Sequence, residues 1–270
     1  MTAVFLLVLL ALSFGGAFVS GLIGVGGAIV MLPLLLYGPP ALGVGRLDVK
    51  TVAAVTMVQV FVAAVSGFIA HRRGRSVQSD LALLGGLVMA AASFAGAILS
   101  KYADDRLILL VFGLMTLGSL ALLFVPTESE GVAPFKGATP FSGRVEFSRP
   151  TAIVVCAGVG VAAGLVGAGG AFLLVPLLMV VVGVPIRITI GSSLAITALA
   201  ATAGLVGKIA TGQVPLVPSL AVVLGAVPGA RLGATTSRRL SPISLKRVLF
   251  IVVLASALRV WWDLLGRLME

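Results

Sequence analysis

Two glycine-rich segments that are near copies of each other interrupt the longest uncharged stretches of this 270-residue chain. They cover residues 21–35 and 164–178, and nine of their fifteen positions are identical. Each contains the pattern GLxGxGGA, and a proline, Pro33 or Pro176, follows seven residues after the third of its four glycines. The backbone must therefore accommodate the same glycine-rich, proline-containing segment twice, in two equivalent apolar surroundings.

The composition places these segments in a membrane. The chain is 59% hydrophobic and 10% charged, whereas soluble domains carry about 25% charged residues. Apolar runs of about 20 residues alternate with short polar loops, which predicts a polytopic all-α membrane protein rather than a β-barrel. We expect a multi-pass protein of the cell inner (plasma) membrane, with the lipid bilayer around it.

The glycine segments must break helices. Residues 2–45 carry no charge, and one helix of that length would far exceed the roughly 30 Å apolar core of a bilayer. We predict a first transmembrane repeat at 1–125, a polar linker loop at 126–150 and a second repeat at 151–270, with 8–10 crossings.

The orientation of the two repeats depends on how often each glycine segment crosses the membrane. One crossing gives parallel repeats, with 9 Lys and Arg residues in the loops of each side, whereas two crossings give inverted repeats, with 11 against 7. Because basic loops stay on the cytoplasmic side, the count favours inversion.

Charge placement excludes several functions. All nine acidic residues fall in loops, in the linker or near an end of the chain, whereas cation and proton carriers usually hold a buried carboxylate. The net charge of +10 sits mostly in short loops, as topology signals do, so we predict no nucleic-acid partner. No Cys/His metal spacing or catalytic dyad occurs. We expect no metal, no cofactor and no enzymatic activity.

The glycine clusters are candidate anion sites. A helix that restarts after such a break presents free N–H groups and the positive end of its dipole, where anions bind, and glycine lets a ligand approach the backbone. A packing break without a ligand is the alternative. The candidate substrate-binding glycines are Gly24, Gly26, Gly27, Gly167, Gly169 and Gly170.

Polar side chains on the spans that follow complete the candidate site. Hydroxyl and amide groups there can donate to an anion or simply bridge helices, and Arg231, within an apolar span, can attract an anion or snorkel to an interface. Pro33 and Pro176 would each free a helix carbonyl. Thr56 and Thr197 belong to the same clusters, from which we select as substrate-binding Thr51, Gln59, Thr189, Ser192 and Ser193, together with Arg231.

The paired segments 21–33 and 164–176, each followed by a small, hydroxyl-rich span, resemble the sulfite exporter TauE/SafE family of membrane permeases over nearly the whole chain. The resemblance implies a secondary transporter of a small oxyanion, of the class of sulfite, sulfonate, sulfoacetate or thiosulfate. A passive anion channel and a non-transport membrane assembly factor are the alternatives, and a homodimer is possible. The first half departs from the pattern at 51–59, which predicts an asymmetric pocket.

Overall fold

A computed structural model describes residues 2–23, 28–72, 78–125, 147–237 and 242–269. These residues contain helices and connecting turns and no strand, which confirms the predicted all-α class. The helices are α1 (Ala3–Ile23), α2 (Ala28–Ala41), α3 (Val49–Arg72), α4 (Ser79–Tyr102), α5 (Asp105–Leu123), α6 (Arg149–Val166), α7 (Ala171–Val180), α8 (Ile186–Ala210), α9 (Leu216–Ser237) and α10 (Pro242–Met269).

Eight of these helices are long and apolar enough to cross a membrane, and the two exceptions are α2 and α7. Each of these short helices begins directly after the glycines of one segment and contains the proline of that segment. The polytopic organisation predicted from composition is thus confirmed. Most of the predicted linker, residues 126–146, lies outside the described residues.

Helices of the two halves pack in matching pairs. Helix α1 of the first half packs on α9 of the second half, and α6 of the second half packs on α4 of the first. The pairs α3 with α8 and α5 with α10 join equivalent helices, and the short helices α2 and α7 contact α10 and α5. The order α1–α5 therefore has a counterpart in α6–α10, as expected for a duplicated chain.

Glycines allow the closest of these contacts. A Cβ added at Gly225, Gly229 or Gly233 of α9 would overlap main-chain atoms of α1, at Leu10, Phe14 and Phe18 in turn. Where α6 packs on α4, a Cβ added at Gly160 would overlap the Met89 carbonyl and one at Gly164 would overlap the Ser93 carbonyl. Small residues permit such backbone approach in lipid. Because the contacting positions rise together along both chains, α1 runs parallel to α9, and α4 runs parallel to α6.

The remaining contacts give the direction of each half. Gly16 lies beside Met31 and Gly38 beside Leu12, so α2 turns back along α1. Gly86 packs on Leu199 and Gly207 on Phe94, so α8 runs parallel to α4 and hence to α6.

The chain reverses between α8 and α9, because both pack along α3 and only residues 211–215 join them. Since α9 is parallel to α1, and α8 to α6, the equivalent helices α1 and α6 run in opposite directions. The inversion of the two repeats stays a prediction, and the orientation of the loops in a membrane tests it.

We expect single cysteines placed in a Cys156→Ala background to label from two sides. Leu42→Cys and Asp104→Cys should react from one face of the membrane, and Ser148→Cys and Val181→Cys from the other, because all four positions are exposed at helix ends. Membrane-impermeant maleimide labelling of intact and opened cells measures this. Parallel repeats would instead place position 181 with positions 42 and 104, and that result would refute inversion.

Candidate functional site

The second glycine segment breaks the chain between α6 and α7. Gly167, Gly169 and Gly170 have φ angles of 77°, 60° and 68°, a left-handed conformation that side-chain-bearing residues seldom adopt. Residues 167–170 are all buried. The backbone itself thus requires glycine at these three predicted positions. The equivalent break lies between Ile23 and Ala28, and its predicted residues Gly24, Gly26 and Gly27 are outside the described residues.

Main-chain donors accumulate at this break. The N–H groups of Gly167 and Ala168 both donate to the Ala163 carbonyl, at 2.9 and 3.0 Å, and so end α6. At the start of α7, the Gly170 carbonyl accepts from the next turn, at 2.9 Å from the Leu174 nitrogen. Within the described part of the chain, the N–H groups of residues 169–172 have no acceptor. Four adjacent buried donors at the positive end of a helix dipole form a ready anion site.

Close neighbours enclose the break. A Cβ at Gly167 would overlap the Ala53 carbonyl of α3, and one at Gly169 would overlap Val60 and lie 3.3 Å from the methyl group of Thr197. A Cβ at Gly170 would lie 2.8 Å from the Met89 methyl group. The break is therefore held between α3, α4 and α8, on the inside of the helix bundle.

Buried polar side chains without hydrogen-bond partners occur on the three helices that enclose the break. Thr56 and Gln59 on α3, Ser93 on α4 and Thr197 on α8 are 0% exposed, and their side-chain oxygens and the Gln59 amide nitrogen make no hydrogen bond within the described residues. Buried polar groups are normally bonded, and leaving one unpaired costs about 1–3 kcal/mol. The methyl group of Thr197 lies at Gly169, so this residue with its unpaired hydroxyl is next to the break. Such a cluster of unused groups is typical of a ligand site.

The predicted residues of α8 have structural partners. Thr189 Oγ1 donates to the Val184 carbonyl at 3.0 Å, Ser192 Oγ accepts from the Gln78 N–H at 3.1 Å, and Ser193 also takes part in a polar interaction. All three are fully buried. Their bonds hold the beginning of α8 in place, which is the bridging alternative stated from the sequence.

Thr51 lies two residues before Ala53, which contacts Gly167, whereas no contact among the described residues places Arg231 at the break between α6 and α7. Thr51 is in the first turn of α3, where its N–H donates to Asp48 Oδ2 at 3.0 Å, and eight residues of helix separate it from Gln59, about 12 Å. Arg231 is exposed on α9, while Ala230 beside it packs on Gly21 of α1. Gln59 adjoins Val60 on α3, and Val60 contacts Gly169.

The two predicted proline-freed carbonyls have serine donors. Ser119 Oγ of α5 donates to the Phe172 carbonyl at 2.8 Å, and Ser256 Oγ of α10 donates to the Ile29 carbonyl at 2.8 Å. These carbonyls lie four residues before Pro176 and Pro33, which have no N–H to give them. The prolines therefore shape the short helices, and their carbonyls are not left for a ligand.

Sequence reasoning missed Ser119, Ser256 and Ser93. For the first two a signal existed, because each freed carbonyl in lipid needs a donor from another helix. The sequence contains several buried-span serines, however, and only the packing of α5 on α7 and of α10 on α2 selects these two. Nothing in the sequence marked Ser93, whose hydroxyl lies 2.6 Å from the position that a Cβ of Gly204 would take.

Comparison with known proteins gives a consistent picture. The profile of the family described as sulfite exporter TauE/SafE matches residues 8–260, which confirms the resemblance carried by the glycine segments. A probable membrane transporter protein of Xylella fastidiosa (strain Temecula1 / ATCC 700964) is 30% identical over 250 residues, covering 91% of this chain and 90% of that protein. The probable membrane transporter protein YunE of Bacillus subtilis (strain 168) is 26% identical over 245 residues, covering 87% and 90%. No solved structure matches the chain.

We expect Ser119→Ala to lower the free energy of unfolding by about 1 kcal/mol, because it leaves the Phe172 carbonyl without a donor. In a Pro176→Ala background residue 176 regains its N–H, so the same serine substitution should cost clearly less. Thermal unfolding in detergent of the four proteins of this cycle measures the difference. An equal cost in both backgrounds would show that the serine acts in some other way.

Proposed function

Because this chain belongs to the sulfite exporter TauE/SafE family of membrane transporters, we propose that it is a secondary carrier of a small sulfur-containing oxyanion across the inner (plasma) membrane. The substrate class is that of sulfite, sulfonates, sulfoacetate and thiosulfate. The observation that carries the proposal is the row of buried N–H groups at residues 169–172 that have no acceptor within the described residues, with Thr197, whose hydroxyl is also unpaired, in contact with Gly169.

The chemistry of this site suits a negative solute. Main-chain amides, the Thr197 hydroxyl and the Gln59 amide nitrogen are all donors, and a helix start adds a positive partial charge. The three oxygens of a sulfite or sulfonate group can accept from several donors at once. A cation would find only the Gln59 carbonyl and hydroxyl oxygens, so the site favours anions without a basic side chain.

Energetics favour occupation of the site by a polar ligand. Each unpaired buried group costs free energy in the empty protein, and the cost is greater in an apolar surrounding than near water. An oxyanion that accepts these hydrogen bonds removes the cost at several groups together. Glycine at positions 167, 169 and 170 keeps the break compact, so donors from α7 and α8 converge on one small volume.

Close packing favours a carrier over a passive channel. Ala53, Val60 and Met89 pack directly against the glycines of the break. A solute can therefore pass through only if α3 and α8 separate from α7. A carrier undergoes such a change in each cycle, whereas an open pore holds a continuous path. The unpaired donors also have no use in a purely structural assembly factor.

We expect Thr197→Val and Gln59→Leu to reduce flux at least tenfold while keeping or raising thermal stability. Replacing an unpaired buried polar group by an apolar one of similar shape is neutral or favourable for folding, so loss of transport would identify a binding role. Proteoliposome flux of labelled sulfite, thiosulfate and a sulfonate measures this, alongside thermal unfolding.

Thr202→Val is the matched control, because Thr202 lies on the same helix and its hydroxyl donates to the Ala198 carbonyl at 2.7 Å. Its flux should equal that of the wild type. Wild-type flux in both the Thr197 and Gln59 variants would refute the site. Conductance far above carrier turnover would replace the carrier with a channel.

A further inference from the structure

Lys208 is a buried cation in a membrane-crossing helix. It lies near the end of α8, inside the span Gly191–Ala210, and its side chain is 0% exposed. The cost of a charge in this position is high unless a partner compensates it. The surroundings of its ammonium group therefore decide what the residue can do.

The described partners of Lys208 are neutral. Its Nζ donates to Ser100 Oγ of α4 at 2.7 Å and makes a long contact of 3.4 Å with Gln213 Oε1. Gln213 is held in turn, because its Nε2 donates to the Ala97 carbonyl at 3.0 Å and to Thr211 Oγ1 at 2.7 Å. A hydroxyl and an amide accept from the ammonium, and neither supplies a negative charge.

The charged residues at this end of α3 and α4 include both cations and carboxylates. On α4, Lys101 and Tyr102 follow Ser100 and are exposed, and Lys50 of α3 donates to the Lys101 carbonyl at 3.1 Å. Asp48, just before α3, is exposed and accepts from the Thr51 N–H. Arg46 and Asp104, in the adjoining loops, are exposed too.

The other charged groups on helices that contact α8 lie at the opposite end of the bundle. Asp80 begins α4, Arg149 begins α6 and Arg187 begins α8, whereas His71 and Arg72 end the antiparallel α3. Cys156 of α6 packs at Gly85, also in that part, and α7 carries no charged residue. Among the described residues, Lys208 thus has no carboxylate partner.

A row of polar groups joins Lys208 to the glycine break along the parallel helices α4 and α8. Thr197 touches Gly169, Ser93 lies beside Gly204, and Ser100 bonds Lys208. Thr197 and Lys208 are eleven residues apart on one helix, about 16 Å. The row leads from the candidate anion site toward the end of the bundle that holds residues 211–215.

We propose that Lys208 couples anion movement to proton movement, an inference that rests on the proposed anion carrier. An isolated buried ammonium can be neutralised by losing its proton or by the arrival of an anion. In the proposed cycle, neutral Lys208 takes up one proton as the anion enters and releases it as the anion leaves on the other side. One anion and one proton then cross together, and no covalent bond changes.

The test separates anion exchange from proton coupling. Exchange of labelled for unlabelled thiosulfate at equal pH on both sides requires only the carrier, whereas uphill accumulation driven by a pH gradient requires coupling. Thiosulfate stays ionised near neutral pH, so a proton can travel only on the protein. Both measurements use proteoliposomes of the full chain, with thermal unfolding to check that each variant is folded.

Arginine keeps the charge but cannot release its proton. We expect Lys208→Arg to retain exchange within about threefold and to lose at least tenfold in gradient-driven accumulation. Lys208→Met, which cannot bind a proton, should show the same separation and serves if the arginine variant does not fold. Lys101→Arg, at an exposed lysine of α4, should keep both activities.

Three results would overturn the inference or its premise. Undiminished gradient-driven accumulation in a folded Lys208 variant removes the coupling role and leaves the carrier. Loss of exchange in both folded variants also removes it, because a coupling residue is not needed for exchange. Absence of exchange in the wild type, with thiosulfate, sulfite and a sulfonate alike, refutes the proposed function instead.

Discussion

The architecture depends on one constraint, which is that main-chain N–H and C=O groups inside a bilayer must find partners within the protein. A helix meets this requirement automatically, and this chain interrupts its helices at two equivalent places. Around the break between α6 and α7, the end of α6 is closed by paired N–H bonds to Ala163, and the carbonyl freed by Pro176 is bonded by Ser119. Among the described main-chain groups of this break, the four donors of residues 169–172 have no acceptor.

The rest of the bundle holds that break in position through backbone approach. Glycines on α9 and α6 bring these helices against α1 and α4, and the two pairs form a frame on either side of α3 and α8. Unpaired buried polar side chains occur on α3, α4 and α8, which surround the break, and at Ser219 of α9. Close backbone packing thus surrounds a break whose hydrogen-bonding groups are not all used within the described residues.

Much of this could be predicted from the sequence. The apolar spans, the breaks and the carbonyls freed by Pro33 and Pro176 follow from composition, glycine pattern and the missing proline N–H. The family resemblance rested on the same residues. These features depend only on residues close together in the sequence, so they can be predicted without knowing which helices pack together.

What escaped prediction depends on which helix faces which. Ser119 and Ser256 became donors only through the packing of α5 and α10. Thr51 was selected with Gln59 from the polar residues of one span, although the rise of α3 separates them. The sequence places Lys208 near the end of an apolar span, and its burial follows from the packing of α8 against α4. Such facts are relations between distant segments, which a periodicity does not encode.

The exchange of helices between halves has a consequence for biogenesis. The contact of α4 with α6 is complete once residue 166 has been made, whereas α1 must wait for α9, which begins at residue 216. During synthesis the face of α1 that packs on α9 therefore stays uncovered while α2–α8 are inserted. The two helix pairs therefore form at different times, and the pair of α1 with α9 forms after the pair of α4 with α6.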